Sequence, residues 1–201
     1  MYKVIGSPRT RTFRVMWMLE ELGEDYEIEP QAPHTDPVKA GNPGGKIPTL
    51  HDGNTILSDS VAICTYLADK HAACTHPAGT PARGHQDAMT QFAIEMIDGA
   101  LWTASKNTFA APEEHRCPDI VPICRYEWGK GMATLAAHIE GKEFITGDTF
   151  TVPDLIIGHC AGWAQRIEFP VPEGPVADYM NRMRSRPAFD AMKRAAQAQP
   201  P

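Results

Sequence analysis

The strand-like runs of this chain all fall before residue 60, and that placement limits the fold more than any other feature. Tyr2-Lys3-Val4-Ile5-Gly6 is a short apolar run broken by Ser7-Pro8, and Tyr26-Glu27-Ile28-Glu29 alternates as a strand does. Thr49-Leu50-His51 and Thr55-Ile56-Leu57 flank Asp52-Gly53-Asn54, a strong signal for a tight hairpin. Between the first two runs, Val15, Met18, Leu19 and Leu22 recur at helical spacing, and Gly23 stops the helix because glycine tolerates the left-handed conformation. Ser58 and Asp59 open a further helix whose apolar face is Val61, Ile63, Cys64 and Leu67. Residues 31–45 are rich in proline and glycine and read as loop. The first 75 residues therefore read β-α-β-loop-β-β-α, an α/β layer domain.

Beyond that point every pattern is helical. Thr75 to Arg83, with Pro77, Gly79 and Pro81, reads as a linker. Gln86–Phe109, Ile120–Ile139, Pro153–Arg166, Val176–Arg184 and Pro187–Ala196 each carry an amphipathic repeat, and Pro122 sits where a first turn accepts proline. The expected organisation is an α/β domain over 1–75 and an all-α domain over 84–201, with the Ala/Gln/Pro tail fraying. With 201 residues, 42% of them hydrophobic, the chain can bury a sizeable core, which excludes disorder for most of it.

Net charge is −6, so bulk attraction to nucleic acid or to anionic lipid is not expected. Arg9, Arg11 and Arg14 form a local basic cluster that reads first as three solvated side chains, and alternatively as a lure for a small anion. The five cysteines are odd in number, with no CxxC and no zinc-finger spacing. Together with the lack of a long apolar run, they point to free thiols in a reducing, cytoplasmic setting, with no membrane span. Cys64 lies in an apolar helical pattern and reads as core.

Three stretches can carry chemistry. In Gly45-Lys46-Ile47-Pro48-Thr49-Leu50, a cis bond before Pro48 would present the Ile47 backbone to a ligand, whereas the usual preference of X–Pro bonds argues trans. At Ser58-Asp59-Ser60 an acid and hydroxyls begin a helix. They either cap it or, with its free N–H groups, hold the carboxylate and ammonium of an α-amino acid. Ser7-Pro8-Arg9-Thr10-Arg11 follows the first strand, where open α/β sheets bind ligands. There a hydroxyl of Ser7, Thr10 or Thr12 could donate to a thiolate and favour its charged form, or Thr10 could serve as an N-cap.

Taken together and in order, these stretches are more specific. Ser7-Pro8-Arg9-Thr10-Arg11 leads to Arg14-Val15, Trp17 and Leu19-Glu20-Glu21-Leu22-Gly23. Asn42-Pro43-Gly44-Gly45-Lys46-Ile47-Pro48-Thr49-Leu50 and Leu57-Ser58-Asp59-Ser60-Val61-Ala62-Ile63 follow. The set resembles the cytosolic glutathione transferase family, of bacterial type. The resemblance extends to Gly147-Asp148-Thr149-Phe150-Thr151-Val152-Pro153-Asp154, which is similar to the family's C-terminal capping box, with Thr151 and Asp154 as its partners and Phe150 as staple.

The resemblance implies a thioredoxin-like first domain, a helical second domain, a homodimer and a cis Pro48. It also implies glutathione as co-substrate, with no metal. The Ile47 backbone would pair with its cysteinyl residue, Asp59 and Ser60 would hold its γ-glutamyl group, and Lys46 would face its glycyl carboxylate, with His34 as a further contact. Two departures stand out: the family's Glu or Gln is here Asp59, and its Ser, Tyr or Cys activator falls nearest Thr10, with Ser7 and Arg11 as alternatives. An apolar pocket for a small hydrophobic electrophile would lie between the Thr10 loop and the first long helix of the second domain, where Met96, Trp102 and Phe109 are candidates. The implied reaction is attack by glutathione thiolate on that electrophile. A glutathione-dependent reductase or isomerase, or a non-catalytic interaction domain of the same fold, are the alternatives.

Overall fold

A computed structural model describes residues 1–198. The chain forms two compact units, one running from Met1 to Ala78 and taking in the segment from Ser185 onward, the other Gly79–Arg184. The tail expected to fray lies, beyond Ala198, outside the described residues.

In the first unit, strands β1 (Tyr2–Ile5), β2 (Tyr26–Glu29), β3 (Thr49–Asp52) and β4 (Thr55–Ser58) form one sheet in the order β2-β1-β3-β4. β1 and β2 are parallel and are joined by helix α1 (Thr12–Leu22), as a parallel pair requires a crossover. β3 runs antiparallel to β1, and β4 antiparallel to β3 through the Asp52-Gly53-Asn54 turn. Val4 pairs with Ile28 on one side and Leu50 on the other, and Val4 and Leu50 are fully buried.

Helix α1 buries Val15, Met16, Trp17, Met18 and Leu19. It ends as the sequence suggests: Gly23 takes φ 69°, its N–H donates to Glu20 O at 3.3 Å, and the Glu24 N–H donates to Leu19 O at 3.0 Å. This paired arrangement satisfies carbonyls that a helix end otherwise leaves orphaned. A short helix, α2 (Asp36–Gly41), interrupts the segment read as loop. Its only buried residue is Val38, so it has no apolar repeat to reveal it. Helix α3 (Ser60–Lys70) buries Ile63, Cys64, Leu67 and Ala68 and packs on α1.

In the second unit, α4 (Pro81–Phe92), a π-helical segment (Ala93–Asp98), α5 (Gly99–Ser105) and a second π-helical segment (Lys106–Ala110) form one continuous helical run. It starts earlier than its apolar pattern because Thr80 accepts the Arg83 N–H at 3.2 Å and Pro81 occupies the first turn. Helices α6 (Val121–Ile139), α7 (Val152–Arg166) and α8 (Pro175–Arg184) complete the bundle around Ile97, Leu101, Trp128, Leu135 and Leu155.

The capping box is present at α7. Asp154 Oδ2 accepts the Thr151 N–H and O–H, each at 2.9 Å, and Oδ1 accepts the Ile145 N–H at 2.8 Å and the Tyr179 O–H at 2.6 Å. Burial pushes the Asp154 carboxyl up from its ordinary value, and these four donors oppose that push. Phe150, expected as staple, stands edge-on to Phe144 with centroids 5.8 Å apart.

The last helix, α9 (Pro187–Gln197), was expected with the all-α domain over 84–201, but it packs on α1 and so belongs to the first unit. Phe189 stands edge-on to Trp17 and Phe13, at 4.9 and 5.6 Å between centroids, and Arg186 Nε donates to Glu21 Oε1 at 2.7 Å. The apolar face of α9 fixes its helical period, but the surface it covers is a matter of packing.

Candidate functional site

The residues named from the sequence for thiol activation and glutathione binding all lie in the first unit: Ser7, Thr10 and Arg11 between β1 and α1, His34 before α2, Lys46, Ile47 and Pro48 before β3, and Asp59 and Ser60 at the start of α3. The Ile47–Pro48 bond is cis, and β3 begins at the next residue.

The turn after β1 and the turn before β3 meet. A Cβ on Gly6 would lie 2.3 Å from Thr12 Oγ1 and 3.0 Å from Ile47 Cβ, so only glycine fits there. Thr10 and Thr12 hydroxyls are 3.0 Å apart, and the Thr10 hydroxyl donates to Ser7 O at 2.7 Å. Ser7 Oγ accepts the Arg9 N–H at 3.3 Å. Thr10 is not the N-cap of α1: that position falls to Arg11, whose side chain makes no cap hydrogen bond. The Thr10 hydroxyl thus folds back on its own loop, where it accepts the Thr12 N–H at 3.3 Å.

The second turn is tied to the loop that carries His34. The His34 N–H donates to Gly45 O at 2.7 Å, and a Cβ on Gly45 would meet the His34 ring at 2.3 Å. Asn42 Nδ2 donates to Lys46 O at 2.9 Å, which fixes the backbone next to Ile47. His34 and Lys46 are both exposed.

At α3 Asp59 caps the helix. Its Oδ1 accepts the Val61 N–H at 2.9 Å and the Ala62 N–H at 3.1 Å, a true N-cap. Oδ2 takes no part in the cap, and Asp59 itself is exposed. Its φ of 73° and ψ of 125° lie where L-residues are rare. Ser60, one residue on, is buried, with Oγ 3.5 Å from Arg14 Nη1.

Arg14 corrects the reading of three solvated arginines: Arg9 is exposed, but Arg14 is fully buried. The signal was available, because Arg14 precedes Val15 and stands four residues before Met18, on the inner side of α1. Cys64, also fully buried, is no nucleophile: burial pushes its thiol up to about 12, against the opposing charge of Arg14. All five cysteines are free thiols, and among the described residues no helix is long and apolar enough to cross a membrane.

Of the apolar candidates in the second unit, Met96 lines a cleft of about 380 Å³ with Thr103, Ile120, Ile123 and Cys124. Trp102 faces Trp163 at 6.5 Å between centroids, and Phe109 is 58% exposed.

Comparison with known proteins agrees with this architecture. Glutathione transferase URE2P8 from Phanerochaete chrysosporium, solved with oxidized glutathione, superposes with a TM-score of 0.84 over 98% of this chain and 95% of its own, at 19% identity. The fold is therefore that of the glutathione transferases: a thioredoxin-like unit with a mixed four-stranded sheet, followed by a helical one. The family model for the glutathione S-transferase N-terminal domain matches residues 10–70. Glutathione S-transferase 1 of Triticum aestivum is 34% identical over 184 residues, covering 76% of this chain and 75% of the relative. A zeta-class glutathione S-transferase of Euphorbia esula is 29% identical over 160 residues, covering 73% and 68%. The chain belongs to the glutathione S-transferase family. Membership in it supports glutathione conjugation in general.

Proposed function

We propose that the first unit binds glutathione across the Pro48 turn and the start of α3 and holds its thiol as thiolate for attack on a small, partly apolar electrophile. The observation that carries this reading is the start of α3. One oxygen of Asp59 caps the helix while the other is left for an ammonium, and beside it stand the buried Ser60 hydroxyl and the helix N-terminus, both suited to a carboxylate. An ammonium and a carboxylate on one carbon define an α-amino acid, and the γ-glutamyl end of glutathione carries them in that form. The Ile47 backbone then meets the cysteinyl residue, and Lys46 and His34 flank the glycyl carboxylate.

Thr10 is the proposed activator, with Ser7 and Arg11 as the groups that would replace it. For Thr10 to act, its hydroxyl turns from Ser7 O toward the thiolate, a rotation about one side-chain bond. Thiolate stabilisation and alignment of the two reactants supply the catalysis, with no metal. The protein is further proposed to act as a cytoplasmic homodimer. Light scattering would then give about twice the 22.1 kDa chain mass.

The test is calorimetric titration with reduced glutathione of the native protein and of Asp59→Asn. Asparagine is as good an N-cap as aspartate, so the helix is kept and only the charge is lost. Native protein should bind one glutathione per chain, and Asp59→Asn should bind more weakly by about 1–3 kcal/mol at an unchanged melting temperature. Absence of binding by the native protein at millimolar glutathione overturns the reading in favour of an interaction domain of the same fold. Equal affinity of the two proteins removes Asp59 from the site.

A further inference from the structure

Arg14 is a fully buried cation on α1, and its guanidinium points across to the first residue of α3, with Nη1 3.5 Å from Ser60 Oγ. A guanidinium has N–H donors and no acceptor. Ser60 can only face it with a lone pair, so the single O–H of Ser60 is turned elsewhere. The Asp59 cap uses the N–H groups of Val61 and Ala62 and leaves that of Ser60. Two donors of the same residue, its N–H and its O–H, therefore remain for an acceptor outside the helix.

From this geometry we infer that Arg14 is a positioning residue for the γ-glutamyl α-carboxylate: it commits the Ser60 hydroxyl to donate to that anion. Two effects act in the same direction. The orientation of the hydroxyl is fixed by what Arg14 lacks, an acceptor. The bond itself is long for a hydrogen bond and can shorten as the Ser60 proton moves toward an anion, because bonds in such a chain polarise one another. Arg14 never touches the ligand; it acts through Ser60.

This inference rests on the glutathione reading, and its test separates the two. Affinity is measured for glutathione and for 4-aminobutyryl-cysteinylglycine, which is glutathione without its γ-glutamyl α-carboxylate, on the native protein and on Arg14→Gln. The native protein should prefer glutathione by about tenfold or more, the scale of a hydrogen bond to a charged group. In Arg14→Gln that preference should collapse toward one, through loss of affinity for glutathione alone. A purely structural role would weaken both peptides alike, and that outcome overturns the inference while leaving the glutathione reading intact. Failure of the native protein to bind either peptide overturns both.

If Arg14→Gln does not fold, Arg14→Met replaces it, since methionine fills buried space but has no N–H to hold the Ser60 lone pair. Arg14→Met should reduce the preference in the native background and have no effect on it in Ser60→Ala, where the relay is already cut. An equal effect in both backgrounds, or none in either, overturns the inference.

Discussion

Gly6 ends β1 at φ 143°, pressed against Thr12 and Ile47. Adding one methyl there violates both the backbone conformation and the space, so Gly6→Ala should cost about 1–3 kcal/mol of stability. An unchanged urea midpoint would show that the two turns can separate without loss. Cys64 gives a pH signature at the same scale. Burial holds its thiol at about 12 in the folded chain against an ordinary 9.0. Between those values the unfolded chain releases a proton that the folded chain keeps, so stability is full below about 9 and falls as pH rises toward 12. Cys64→Ala should flatten that alkaline loss in melting curves taken across the window; an identical slope would assign the loss to other groups.

Helix α9 meets α1 through the Phe189 ring and the Arg186–Glu21 ion pair. Phe189 is 5% exposed, so Phe189→Ala should destabilise the first unit by about 3–5 kcal/mol, through lost burial plus a cavity. Hydrogen exchange should show faster opening of α1 and α9 but not of α7; uniform exchange throughout would mean that the ring contributes little. In the second unit, α6 approaches the π-helical segment so closely that a Cβ on Gly131 would lie 2.8 Å from Met96 O. Backbone cannot yield as a side chain can, so Gly131→Ala should cost about 1–3 kcal/mol in chemical denaturation, and a neutral result would show the helices free to part.

For the molecule as a whole, a ligand that binds only the folded chain raises its stability by mass action. Glutathione at a hundred times its dissociation constant should add about 2.7 kcal/mol, seen as a rise in melting temperature that grows with the logarithm of concentration. A melting temperature independent of glutathione would contradict the proposed site. Much of this architecture was legible beforehand. The short apolar run of β1, the alternation of β2, the Asp-Gly turn, the Gly23 stop and the Thr151–Asp154 box are local signals, each read within a few residues. Helix α2 was not legible, because a six-residue helix with one buried side chain has no period to detect.

What the sequence determined by itself was the order of elements and the residue types at the turns, because backbone propensity, capping and periodicity act over one helical turn or less. Asp59 at a helix start follows from that range of information, as does glycine after β1. The tertiary structure alone decided which side chains share a space. It buried Arg14 beside Ser60, turned the Thr10 hydroxyl onto Ser7, made Asp59 a cap with one oxygen left over, and gave α9 to the first unit. Arg14 and Ser60 are 46 positions apart, and the physical reason they meet is packing: α1 and α3 bury their apolar faces against each other, and that contact, not local propensity, carries the cation to the helix start.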